Sequence, residues 1–257
     1  MSPKKSLGQH FLFDPRILSR IASALEAKPG ETILEIGPGR GTLTKQLLKQ
    51  GSRVVVIEKD RELLPVLERD VPEAIVVEGD ALALDWHLVA GAPFVVIGNI
   101  PYNITSPLID KALTPPRPRV VVFLVQKEVA QRVAAKPGGA EYGALSVGVQ
   151  AVARVERLFT VAAGAFSPPP KVDSSVLRLS PLEQPLIPDP DVAGFRRMVV
   201  GLFGFRRKQL LRGVRELTGL PVEAARARLA GAVLAETSRA QELSPPEFVR
   251  LFHALRG

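Results

Sequence analysis

The 257-residue sequence predicts an α/β protein, a mostly parallel, doubly wound sheet followed by a small all-α domain. Three observations predict it. Short runs such as Val54-Val55-Val56-Ile57 and Val120–Val125 are apolar at every position, as expected of strands buried on both faces. These runs alternate with segments of helical periodicity. Beyond Pro181–Pro190, where four prolines fall within ten residues, β-branched runs nearly vanish and only helical segments follow. The expected domains are therefore residues 1–182 and 188–257, joined by that proline-rich linker.

Element by element, Met1–Phe13 is a basic lead segment that includes Lys4 and Lys5. Asp14-Pro15 reads as an N-cap followed by proline at the first helical position. Ile17, Leu18, Ile21 and Leu25 then form an apolar stripe, and Pro29-Gly30 ends the helix. Strands are expected at Thr32–Ile36, Arg53–Glu58, Ala74–Glu78, Phe94–Gly98 and Val120–Val125. The first two are separated by a helix over Thr42–Gln50, stopped by Gly51, and a further helix covers Arg61–Asp70. Ser106-Pro107 is expected to cap the helix after the fourth strand. Lys127–Ala135 and Ala144–Ala151 read as helices, Val152–Phe159 and Val172–Leu179 as closing strands. The second domain is expected to hold helices at Val192–Leu202, Arg206–Leu217, Val222–Leu229 and Pro245–Leu255, the last capped by Ser244.

Composition bounds the chemistry. The chain has no cysteine, which excludes disulfides and thiolate metal sites, and its three histidines make a metal centre unexpected. No apolar run is long enough for a membrane span and the basic N-terminus lacks an apolar core, so a cytoplasmic protein is expected. The net charge of +8 is concentrated at the ends: residues 1–20 carry +3, residues 186–257 carry +5, and the middle is balanced. A neutral body with basic ends points to a centre that does chemistry and arms that hold a polyanion.

The chemistry itself gathers at strand ends. Val95-Val96-Ile97-Gly98 runs into Asn99-Ile100-Pro101-Tyr102, so a buried strand delivers an amide, a rigid turn and an aromatic ring at its carboxyl end. Ligands of open α/β sheets bind along that edge. An amide acceptor, a backbone carbonyl beside a fixed proline and a ring that can stack suit a planar exocyclic amine. Glu35-Ile36-Gly37-Pro38-Gly39-Arg40-Gly41 follows the first strand of the sheet. It is Gly-x-Gly-x-Gly, not the Gly-x-Gly-x-x-Gly of dinucleotide sites, and favours an uncharged nucleoside with an amino-acid tail. Glu58 ends the second strand, where a carboxylate can accept from both ribose hydroxyls. Asp80, in Gly79-Asp80-Ala81 after the third, can accept from an adenine amine. Each acid alone is compatible with a surface charge or a helix cap. Together with Gly37 and Gly39 on consecutive strand ends they have the layout of a pocket for S-adenosyl-L-methionine (SAM), on a Rossmann-like methyltransferase domain.

With these stretches assembled, the chain closely resembles the small-subunit (16S) rRNA adenine N6,N6-dimethyltransferases, the family whose bacterial members confer kasugamycin sensitivity. The resemblance rests on Gly8-Gln9-His10-Phe11-Leu12, Glu35 to Gly41, Gly79-Asp80-Ala81 and the run from Asn99 to Pro107. It continues through Gln126-Lys127-Glu128-Val129, Tyr142 to Val147, Phe166 to Ser174 and Phe205-Arg206-Arg207-Lys208. It implies that His10, Leu12, Gly37, Glu58, Asp80 and Asn99 hold SAM; His10 departs mildly from the family, where asparagine is common. It also implies an RNA substrate, 16S rRNA within the small ribosomal subunit, with Phe166 as a second stacking face opposite Tyr102. A core aromatic beside a proline-rich turn is the alternative reading of Phe166.

Mechanistically, the N6 lone pair of adenine is delocalised and attacks poorly. Asn99 and the Ile100 or Pro101 carbonyl are expected to hold the amine hydrogens, so that placement supplies much of the rate. The base must be unstacked to reach them. Arg206, Arg207 and Lys208, with Arg212 and Arg215, read as a helical cation stripe for RNA phosphates, alongside Lys4 and Lys5; a solvated helix face is the alternative. A monomer is expected. Two other functions fit the same fold. One is methylation of large-subunit rRNA by relatives of the antibiotic-resistance type, the other a non-catalytic assembly or transcription factor that binds nucleic acid.

Overall fold

The computed structural model describes residues 9–256, so Lys4 and Lys5 lie outside the described residues. Two compact units divide the chain. The first runs through Ala130 and resumes over Val155–Pro181; the second comprises Gln131–Arg154 and everything from Leu182.

The first unit is built on a seven-stranded sheet. Its strands are β2 (Thr32–Ile36), β3 (Arg53–Glu58), β4 (Ile75–Glu78), β5 (Phe94–Asn99), β6 (Val121–Gln126), β7 (Ala153–Val161, which enters from the second unit) and β9 (Ser174–Pro181). Their spatial order is β4-β3-β2-β5-β6-β9-β7. Strands β4 through β6 pair in parallel and β9 pairs antiparallel with β6. The order reverses between β2 and β5, the switch point outside which such sheets bind ligands. Strands β2, β3, β5 and β6 are buried along almost their whole length, which is why they read as continuous apolar runs. Edge strand β4 is the exception, with Ile75 exposed.

Helix α1 (Pro15–Ser23) begins as the sequence indicates, with Asp14 Oδ1 accepting from the Arg16 and Ile17 amides. Its Leu18 and Ile21, Leu25 just beyond it, and Leu43 and Leu47 of α2 (Thr42–Leu48) form one core with Ile33, Val54, Val56, Val95 and Ile97. Because strand side chains alternate, Glu35, Glu58 and Asn99 share the sheet face of those residues, displaced toward its carboxyl edge. Helix α3 spans Leu64–Asp70 and starts later than expected, with Pro65 in its first turn. Helix α4 (Trp86–Ala90) had not been anticipated, although Asp85 caps it by accepting from the His87 and Leu88 amides. Helix α5 spans Thr105–Ala112. The Ser106 cap is corrected: the N-cap is Ile104, and Thr105 Oγ1 donates instead to the Pro101 carbonyl. Helix α6 covers Lys127–Val133. The lead segment also contributes structure. β1 (Phe11–Leu12) pairs antiparallel with β8 (Phe166–Ser167), residues more than 150 positions away.

The second unit holds α7 (Ala144–Gln150), α8 (Val192–Gly204), α9 (Leu210–Thr218), α10 (Val222–Gly231) and α11 (Pro245–Arg256). Segment Gln131–Arg154, which the sequence reading placed in the first domain, belongs to this unit for a specific reason. Buried Tyr142 donates its hydroxyl to the Leu243 carbonyl at 2.8 Å, and the Gly138 amide donates to the Gln241 carbonyl. Burial pushes the Tyr142 phenol far above its ordinary range. Glu247 accepts from both the amide and the hydroxyl of Ser244 at the start of α11.

Candidate cofactor and base-binding site

One cavity opens at the carboxyl edge of the sheet in the first unit, and the ends of β2, β3, β4 and β5 all reach it. The loop after β2 is shaped by three glycines with positive φ, Gly37 (+67°), Gly39 (+59°) and Gly41 (+74°), a conformation that L side chains rarely adopt. A Cβ on Gly37 would meet nothing within 4 Å, whereas one on Gly39 would lie 2.9 Å from the Phe11 ring. Phe11 therefore lies directly over this loop, with the Arg40 guanidinium 4.9 Å from its ring centroid.

Glu58 and Asp80 both face the cavity. Glu58 accepts from the Asp60 amide at 2.8 Å with one oxygen and from the Gly39 amide at 3.2 Å with the other. Burial raises its pKa, against the pull of those N–H groups. Asp80 Oδ1 accepts from the Leu82 amide at 2.9 Å and Oδ2 from Lys59 Nζ at 2.8 Å, and Lys59 holds its carboxyl below the usual range.

Glu35, quoted in the glycine motif but given no role there, is fully buried at the floor of the cavity. Burial pushes its pKa to about 8, against a 2.6 Å hydrogen bond from Thr44 Oγ1, and Glu58 adds to the rise. A Glu-x-Gly-x-Gly-x-Gly spacing signals a loop; nothing in it signals a protonated carboxyl.

At the end of β5, Asn99 Nδ2 donates to the His10 carbonyl at 2.8 Å, and Asn99, Pro101 and Tyr102 line the same cavity. The Ile100 amide continues the sheet by donating to the Leu124 carbonyl. The Pro101 carbonyl is engaged by the Ile104 amide and by Thr105 Oγ1, both at 3.2 Å. Of the two backbone acceptors considered from the sequence, that leaves the Ile100 carbonyl. Tyr102 hydrogen-bonds Ser174 Oγ through its hydroxyl at 2.9 Å, while its ring stacks on His10 with centroids 5.7 Å apart and planes 25° from parallel.

His10 and Leu12 belong to a strap, Gln9–Leu12, that runs along the cavity. His10 Nδ1 lies 2.8 Å from the Pro168 carbonyl, Gln9 Nε2 donates to Asp60 Oδ2, and Thr42 Oγ1 donates to the Leu12 carbonyl. Gln9, Thr42 and Lys59 were missed from the sequence because each acts through a partner distant along the chain.

Two expectations are corrected. Phe166 does not line this cavity. The residue is 3% exposed and packs in the core beside Leu12, the partner to which the β1–β8 pairing ties it. Arg206, Arg207 and Lys208 are not a helical stripe but sit in the turn between α8 and α9. Arg206 is tied down by Gln241 Oε1 and the Ala140 carbonyl, while Arg207 and Lys208 are exposed. Among the described residues no cluster of His, Asp and Glu could hold a metal ion, and no helix is long and apolar enough to cross a membrane.

Comparison with known proteins gives a consistent picture. The profile of the family "Ribosomal RNA adenine dimethylase" matches residues 1–256. The chain is 42% identical to "Ribosomal RNA small subunit methyltransferase A" of Pseudomonas aeruginosa, over 98% of this chain and 94% of that protein. It is equally similar, at 42%, to the protein of the same name from Myxococcus xanthus, over 98% and 90%. Among solved structures it is similar to a dimethyladenosine transferase from Plasmodium falciparum, with a TM-score of 0.83 and 27% identity over 94% of this chain and 96% of that one. It is also similar to the 23S rRNA methyltransferase ErmE, with a TM-score of 0.73 and 28% identity over 96% and 100%.

Proposed function

The chain belongs to the ribosomal RNA adenine dimethylase family, and from that premise we propose that it dimethylates N6 of two adjacent adenosines near the 3′ end of 16S rRNA. It is a SAM-dependent rRNA adenine dimethylase. The finer reading has it acting in the cytoplasm as a monomer on the small ribosomal subunit, as a step of ribosome assembly. Relatives at 42% identity that carry the small-subunit name support that target over the large subunit.

The residues present fit the cofactor. Gly37 leaves open space where any other residue would put a Cβ, and the Glu58 and Asp80 carboxylates both line the cavity. Gly37 and Gly39 would flank the amino-acid tail, Glu58 the ribose hydroxyls and Asp80 the adenine amine, with His10 and Leu12 closing over them from the strap. Bound SAM supplies an electrophilic methyl group carried on a sulfonium.

What the chain must supply is a competent amine. Asn99 Oδ1 and the Ile100 carbonyl take one amine hydrogen each, drawing the nitrogen away from conjugation with the ring and aiming its lone pair. Tyr102 offers one face for the flipped base, worth on the order of 1–3 kcal/mol. His10 now stacks on Tyr102, so the base either displaces that ring or extends the stack. The amine proton leaves to water after transfer. No charged general base lies among Asn99, Ile100, Pro101 and Tyr102, in keeping with catalysis by placement.

In the second unit, exposed Arg207 and Lys208 are the cations offered to RNA phosphates, with Lys4 and Lys5 as further contacts and Arg206 bracing the turn. The single observation that carries the proposal is Asn99, its amide fixed by His10, facing the cavity also reached by Glu58, Asp80 and Gly37. The test is transfer of labelled methyl from SAM to small subunits lacking the modification, followed by nucleoside analysis. Labelled N6,N6-dimethyladenosine in small-subunit rRNA is expected. Label confined to large-subunit rRNA, or no label, overturns the reading.

A further inference from the structure

The hydrogen bond from Asn99 Nδ2 to the His10 carbonyl joins residues 89 positions apart, and it uses the end of the amide that the amine does not need. We infer that the strap Gln9–Leu12 positions the Asn99 amide, and that residue 99 is an amide instead of a carboxylate because its donor end must pin that strap. The inference rests on Asn99 Oδ1 being the acceptor for the adenine amine. The terminal torsion of asparagine is broad and nearly two-fold, so an unpartnered amide would present either end to the base. Held at Nδ2, it can turn only Oδ1 toward the amine. An aspartate at this place would set a carboxylate oxygen against the His10 carbonyl oxygen, with no hydrogen between them.

The strap is in turn anchored on the loops that shape the cofactor cavity. Phe11 lies over Gly39, Thr42 holds the Leu12 carbonyl, and Gln9 holds Asp60. The Gly39 and Asp60 amides are the two that Glu58 collects. The loops that shape the cofactor cavity therefore seat the strap, and a seated strap sets the amide.

The test compares Asn99→Asp, Asn99→Ala and the double variant Gln9→Ala, Thr42→Val, reading hydrogen exchange at residues 10–13 and methyl transfer to small subunits at saturating SAM. Both Asn99 variants should lose transfer and speed strap exchange about tenfold, as expected for a lost hydrogen bond of roughly 1 kcal/mol or a little more. Amides of β2 and β3 should be unaffected. The double variant leaves Asn99 intact, and should speed strap exchange and lower kcat severalfold with the KM for subunits unchanged. Unchanged strap exchange in both Asn99 variants overturns the coupling even if transfer is lost. So does an active Asn99→Asp beside an inactive Asn99→Ala, because an acceptor alone would then suffice. So too does a double variant with a loosened strap and parental kcat. Transfer surviving in both Asn99 variants has a different meaning: the amine-holding role itself is then wrong.

Discussion

The carboxyl edge of the sheet and the strap meet at the same cavity but are held in place by opposite means. Glu35, Glu58 and Asn99 stand on strands buried along nearly their whole length, so moving them means deforming the core. The strap has a two-residue ladder with β8 and a few side-chain hydrogen bonds. Rigid scaffold beneath, locally weak cover above: the first fixes where the chemistry happens, and the second can yield to a ligand without unfolding the protein. If that contrast is right, perturbing the edge should cost global stability, and perturbing the strap should cost function while leaving the melting midpoint nearly in place.

The largest effect is expected at Glu35. Its folded pKa of about 8 lies well above the ordinary value of 4.5. Between those values the folded protein binds more protons than the unfolded chain, so stability is lost as pH rises from about 5 and the loss is complete above about 8. The full penalty is at most about 5 kcal/mol. Glu35→Gln keeps an acceptor for Thr44 and removes the titration. Parent and variant should be similarly stable at pH 5, with the variant ahead by a few kcal/mol at pH 9. Denaturant melts across that range check it, and parallel pH profiles would show that Glu35 is charged in the folded state.

Gly98 comes next. A Cβ there would lie 2.6 Å from the Ile36 carbonyl oxygen and 2.9 Å from Ile100 Cδ1. A backbone oxygen of the neighbouring strand cannot swing aside, so Gly98→Ala should cost roughly 1–3 kcal/mol. That corresponds to a fall of about 5 °C in the melting midpoint of a chain this size. Methyl transfer should fall with it, since Asn99 is the next residue. Gly39→Ala makes the instructive pair. There the obstruction is the Phe11 ring, a side chain of the strap, and the left-handed backbone adds about 1–2 kcal/mol of strain. Phe11 can rotate away, so the midpoint should fall less than in Gly98→Ala, while SAM affinity drops and strap exchange rises. Equal midpoints for the two variants would mean that the strap is part of the scaffold.

The same contrast explains what could be read from the sequence. Strands β2, β3, β5 and β6 were legible because burial on both faces demands unbroken apolar runs, and the acids and glycines stood out as interruptions at their ends. The strap was not legible. Its pairing with β8 spans more than 150 residues, and no local pattern in Phe11-Leu12 announces it. The burial of Phe166 beside Leu12 was not legible for the same reason, as it follows from that pairing. Segment Gln131–Arg154 has helical periodicity like its neighbours, and only Tyr142 reaching Leu243 reveals which unit it belongs to. At Phe205–Lys208 the basic residues were visible, but the turn they form was not, since Arg206 is held by Gln241 and Ala140 far along the chain.

The smallest perturbation separates cover from scaffold most cleanly. Thr42→Val is nearly isosteric and removes only the donor to the Leu12 carbonyl, 3.1 Å away. Thr42 sits in the first turn of α2, whose packing rests on Leu43 and Leu47 instead. The lost hydrogen bond is worth about 1 kcal/mol. If the strap opens independently, that energy appears only in its local opening equilibrium, as roughly fivefold faster exchange at residues 10–13, with the global midpoint within a degree of the parent. If strap and sheet unfold together, the same energy lowers the midpoint by about 3 °C and leaves the ratio of strap to core exchange unchanged. Exchange rates and a melting curve on one variant therefore decide whether the cavity has a cover of its own.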